Sequence, residues 1–94
     1  MYDEKPLKRV IQEFVEAYKL KNKLNQVRLI ESWGVVVGKM IAQHTKHLSV
    51  NKRILYAELD SSIVRNEVYI LKSKIMTELN SKFDKPVIDD IVLK

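Results

Sequence analysis

His44 and His47 stand three residues apart, a spacing that can place two imidazoles on one side of a helix. There they could ligate a metal or exchange protons. A zinc site needs one or two further ligands, and no Glu, Asp or Cys close by in the sequence completes a set. No serine or cysteine nucleophile motif accompanies either histidine, so neither reads as a general base. His44 is expected to be packed or hydrogen-bonded near a helix end. Asp89 and Asp90 are neighbours in a strand-like run and would point to opposite faces, which is wrong for two carboxylates sharing one substrate. Two glycines cannot supply a Walker or Rossmann phosphate loop, and a chain without cysteine has neither thiolate chemistry nor disulfides. The expectation is a protein that is not an enzyme, with no metal and no cofactor.

The remaining chemistry is basic. Seventeen Lys and Arg against twelve Asp and Glu give a net charge of +5, a balance that attracts polyanions. Lys19, Lys21, Lys23 and Arg28 crowd one stretch; Lys39, Lys46, Lys52 and Arg53 fall around another; Lys72 and Lys74 come later. Such groups can neutralise phosphates without reading sequence. Trp33 could stack on a base. It shares an apolar stripe with Ile30 and Val37, however, and core packing is the favoured role.

The elements that would position these residues follow from periodicity. DEKPLKRVIQEFVEAYKL places Leu7, Val10, Ile11, Phe14 and Tyr18 at helical spacing, with Val15 beside them. Asp3 and Glu4 suit the positive helix end, and Pro6 is tolerated in a first turn. Glu13, Glu16 and Lys19 fall outside the stripe. KNKLNQ interrupts the pattern, and Asn22 or Asn25 can cap a second helix carrying Val27, Ile30, Trp33, Val37, Ile41 and His44. One helix of about five turns is expected through this stretch, although Val35 to Val37 suit a strand and the glycines weaken a helix, so that Gly34 or Gly38 is where it would break. The glycines' four-residue spacing would also let a neighbour approach the backbone closely.

TKHLSV and ILYAELD alternate as two strands of an antiparallel hairpin, with Asn51 suited to the positive φ of the turn. Leu55, Ala57 and Leu59 would face one side, and Ile54, Tyr56 and Glu58 the other. Asp60, Ser61 or Ser62 caps a long third helix with Val64, Val68, Leu71, Ile75 and Leu79 inward; NSKFDKP ends it. VIDDIVLK reads as a final strand at a sheet edge. The result is one α+β domain over residues 1–94, in the order α-α-β-β-α-β, with helices packed on one face of a three-stranded sheet. No apolar run spans a bilayer and the first residues lack the pattern of a signal peptide, so a cytoplasmic location is expected. Ile54, Tyr56, Tyr69 and Met76 are candidate surface contacts.

Trp33, Gly38, Ile41, Ala42, His44 and Thr45, followed by a hairpin with Leu55, Ala57 and Leu59, the helix ending Leu79-Asn80, and the closing V-I-x-x-I strand, resemble the DciA family. Proteins of that family accompany the DnaB-type replicative helicase of bacteria. The resemblance implies a fold like the K-homology domain, contact with the helicase and some nucleic-acid binding. K-homology domains grip the nucleic-acid backbone with a GxxG loop. This chain has no GxxG, so any such binding must use another surface. The expected function is a non-catalytic accessory module of bacterial DNA replication that binds the replicative helicase. It would contact DNA, single-stranded DNA included, weakly and without sequence specificity. An RNA-binding K-homology-like module and a protein-only adaptor are the alternatives.

Overall fold

The computed structural model describes residues 5–94. Helix α1 (Lys5–Val37) and the short α2 (Lys39–Gln43) lead into strands β1 (Thr45–Asn51) and β2 (Ile54–Leu59). Helices α3 (Ser62–Ile70) and α4 (Lys72–Asn80) then cross to β3 (Asp90–Leu93). The sheet order is β1-β2-β3, with β1 antiparallel and β3 parallel to the central β2.

α1 is one continuous helix of 33 residues, where two were expected. KNKLNQ contains neither glycine nor proline, and every residue in it can remain helical. Its polarity marks where the helix passes solvent instead of core, so Asn22 and Asn25 lie inside the helix and cap nothing. Pro6 falls in the first turn; Asp3 and Glu4 lie outside the described residues.

The helix read from Val27 through to His44 is instead interrupted at Gly38, whose φ of 90° and ψ of 168° are open almost only to glycine. Helical hydrogen bonds run up to it, Gly38 N to Gly34 O at 3.0 Å, and resume from it, Ala42 N to Gly38 O at 3.0 Å. The two glycines do not share a close-packing role. A side chain at Gly38 would meet nothing within 4 Å, and one at Gly34 would meet the Ala42 Cβ at an ordinary 3.7 Å.

In the hairpin Leu48 pairs with Ala57 and Val50 with Leu55. The turn differs from expectation: Asn51 is the last paired residue of β1, and the left-handed conformations belong to Lys52 (φ 49°) and Arg53 (φ 65°). Two successive positive φ values form the mirror-image turn whose twist suits a hairpin. The third helix is also divided. Ser61 caps its start by accepting from Val64 N, but Leu71 (φ −91°, ψ 5°) leaves the helical region and separates α3 from α4. Leu71 is 39% exposed and so drops out of the expected inner stripe.

Leu55, Ala57 and Leu59 of β2 and Ile91 of β3 face the helices, meeting Leu29, Trp33, Ile41, Val64, Val68, Ile75 and Leu79, all buried. Val87 and Ile88, just before β3, complete that core. The other sheet face is open, and there Lys94 Nζ lies 5.3 Å from the centre of the Tyr56 ring. Tyr56 and Ile54 are half-buried, Met76 packs against the core, and Tyr69 is exposed.

The first half of α1 reaches beyond this core. Its stripe is exposed, from Leu7 at 61% to Phe14 at 74%, and the molecule measures 68 × 21 × 17 Å. No described helix is long and apolar enough to cross a membrane.

Candidate nucleic-acid interface

Trp33 is 2% exposed, and its Nε1 donates to Thr45 Oγ1 at 3.0 Å; that hydroxyl in turn donates to Ile41 O at 2.8 Å. The indole is therefore spent on locking the α2–β1 corner and cannot stack on a base. At the same corner His44 Nδ1 lies 2.7 Å from Asp60 Oδ1, and Lys46 Nζ lies 3.1 Å from Asp60 Oδ2. The hydrogen bond to His44, then that to Lys46, holds the Asp60 carboxyl below its ordinary value. His47 is exposed on β1. Among the described residues no group of three or more His, Cys, Asp and Glu could hold a metal ion.

The basic residues regroup once folded. Successive helical residues turn by about 100°, so Lys19 and Lys23 sit about 200° around α1 from Lys21. Lys21 instead shares a face with Arg28, two turns on. Lys46 and Lys52 stand near opposite ends of β1, roughly 20 Å apart at strand rise. Lys39 is exposed at the start of α2, and Lys46 is engaged by Asp60.

Lys21, Arg28 and Arg53 come together along a cleft of about 450 Å³ between the middle of α1 and the loop joining α4 to β3. That loop adds Lys82 and Lys85, and Asn22 and Asn25 line the α1 wall between Lys21 and Arg28. Tyr18 and Phe83 supply aromatic surface. Against these cations stands Asp84; Asp89 is already occupied by Arg53.

Arg53 is the fastener of this cleft. Its Nε donates to Asp89 Oδ2 at 2.8 Å and its Nη2 to Asp89 Oδ1 at 2.9 Å and Pro86 O at 3.0 Å. That two-pronged bond lowers the Asp89 carboxyl pKa and raises that of the guanidinium. From the other side Asn80 Oδ1 accepts from Val87 N at 2.9 Å and Ile88 N at 3.1 Å, while its Nδ2 donates to Ile88 O at 2.9 Å. Lys82 and Lys85 thus ride on a loop pinned at Asn80 and at Arg53.

Such an arrangement can neutralise several phosphates along a strand and offer two rings to unstacked bases; it presents no donor and acceptor array for reading a base pair. The sequence pattern does not single out Lys82 and Lys85, because NSKFDKP carries the marks of a helix ending. Two lysines flanking a phenylalanine in a loop were the signal available.

No curated protein matches the chain. The model of a protein family described as "Dna[CI] antecedent, DciA" matches residues 6–93, nearly the whole length. On that match the chain belongs to the DciA family.

Proposed function

We propose that this protein is a non-catalytic accessory module of bacterial DNA replication that binds the DnaB-type replicative helicase and holds single-stranded DNA weakly in the cleft. Membership of the DciA family supports the helicase half. The observation that carries the DNA half is the convergence of Lys21, Arg28, Lys82 and Lys85 on one groove with Tyr18 and Phe83 beside them. Charge supplies affinity there and the aromatics favour single strands. The K-homology likeness belongs to the same proposal, with this cleft doing what a GxxG loop does elsewhere. A module that hydrolyses nothing acts on a helicase only by binding one of its conformations more tightly than another.

The test is fluorescence anisotropy of labelled oligonucleotides against salt. Lys82→Glu with Lys85→Glu should cut affinity for single-stranded DNA by about tenfold or more and flatten the salt slope by about 1 to 2. Lys19→Glu with Lys23→Glu, on the other side of α1, should do less. Equal effects of the two pairs would move the site out of the cleft. Preference for RNA of equal length would replace DNA by RNA. Absence of binding to both at low salt, with co-elution of the helicase retained, would leave a protein-only adaptor.

A further inference from the structure

The azimuth of α1 that faces the core turns apolar again beyond the cleft. Ile11 and the buried Leu29 are eighteen residues apart in sequence, five whole helical turns, and so point the same way. Leu7, Phe14, Val15 and Tyr18 cluster around Ile11 on that face. They are 42 to 74% exposed, although their azimuth is the one that Leu29 and Trp33 bury. Beyond the polar turn of Asn22 and Asn25 an apolar stripe therefore resumes on this azimuth and runs roughly 16 Å, from Tyr18 out to Leu7. A helical arm gains little from its own hydrogen bonds in water, and a contiguous apolar strip on an otherwise folded molecule marks a contact surface.

Shape and charge narrow what covers it. The body of the molecule projects from α1 on the stripe side and rises to Tyr18, which lines the same cleft as Phe83 and Val87. Stripe and body together make an inside corner. A flat bilayer cannot lie along the stripe past that step, whereas a helix about 10 Å wide fits the corner. Lys8 and Lys19 border the stripe on one side and Lys21 on the other, while Glu13 and Glu16 lie on the far face of α1. A second copy is a poor occupant. Run parallel, its body would meet the first body face to face; run antiparallel with the stripes overlapped, Lys8 and Lys19 of one copy would face Lys19 and Lys8 of the other.

We infer that the stripe Leu7–Ile11–Phe14–Val15 is a docking site for an amphipathic helix of a different protein. That helix places its apolar face on the stripe and its flanking Asp and Glu residues on Lys8 and Lys19. This is helix recognition through anchors at three- and four-residue spacing, with complementary flanks choosing the partner. The inference defines the partner by chemistry and goes beyond the helicase reading.

The test uses the full chain with benzoyl-phenylalanine in place of Phe14, irradiated in the cells that make it, and the crosslinked peptide mapped by mass spectrometry. The expected product is a helical segment of another protein with acidic flanks. In binding measurements with that purified protein, Lys8→Glu with Lys19→Glu should weaken the complex by roughly tenfold, and reversing the partner's acids should restore it. These positions are exposed, so circular dichroism should report an unchanged fold. Crosslinks to lipid, nucleic acid, a second copy or nothing would overturn the inference. So would a segment lacking acids, or a complex indifferent to the charge reversal. An acid-flanked segment in a protein other than the helicase would sustain the docking site, and co-elution with the helicase would then decide the helicase reading separately.

Discussion

Gly34 and Gly38, four residues apart, ask for opposite treatment. At Gly38 the backbone lies where a Cβ is strained whatever the free space around it, so Gly38→Ala should destabilise the protein by about 1 to 3 kcal/mol. Gly34 is in helical conformation and an added methyl meets only the Ala42 Cβ at 3.7 Å, so Gly34→Ala should stabilise by up to about 1 kcal/mol. Urea unfolding of the two variants checks both signs. Side-chain charge gives a second residue-scale expectation. The carboxyls of Asp60, Asp89 and Asp90 are all held below the ordinary 3.8, by His44, Arg53 and Lys72 respectively as the main partners. A depressed folded value contributes stability that is complete above the unfolded value and lost as pH falls through the folded one. The urea midpoint should therefore fall as pH drops below about 3.8, less steeply in Asp89→Asn. Trp33 was readable as core from its spacing alone. Arg53 was not: its positive φ and its bond to Asp89, 36 residues away, leave no local trace in the sequence.

The loop between α4 and β3 shows how one polar side chain governs an element. Asn80 makes three hydrogen bonds to the backbone of Val87 and Ile88. Asn80→Ala should cost about 1 to 3 kcal/mol, since it strands buried backbone groups. Hydrogen exchange at Val87 and Ile88 should rise, and DNA affinity should fall with the loosened Lys82 and Lys85. Of the elements, the hairpin and its inward face were legible because alternation has a period of two and one side is buried. The α1 reading failed for a physical reason. Hydrophobic periodicity reports which residues meet an apolar surface, and over residues 21–26 the helix lines a polar cleft, so the pattern vanished while the helix did not. The division at Leu71 was invisible too, since neither glycine nor proline marks it.

At the scale of the whole molecule, the α+β class, the edge position of the last strand and the family were all present in the sequence. The candidate site was legible only as charge. Lys21, Arg28 and Arg53 were visible as basic residues, but α1, the hairpin and the α4–β3 loop had to be folded together before they shared a groove with Lys82 and Lys85. The same assembly leaves one end of α1 in the body and the other standing free, about 50 Å apart at helical rise. A single helix without a hinge transmits rotation as well as distance, so whatever holds its free end also sets the compass bearing of the groove. Two alanines inserted between Leu20 and Lys21 would twist one end by about 200° relative to the other, and seven would bring it back to within about 20° while adding about 10 Å. With either insert the tip partner should still bind alone, and DNA should bind alone but more weakly, since the insert parts Tyr18 from the rest of the cleft. Both should assemble on one molecule in the productive arrangement only with seven, as fluorescence energy transfer between labelled DNA and labelled partner would read. α1 would then work as a torsion shaft, and its rotational phase, more than its length, would be the quantity the protein has to keep.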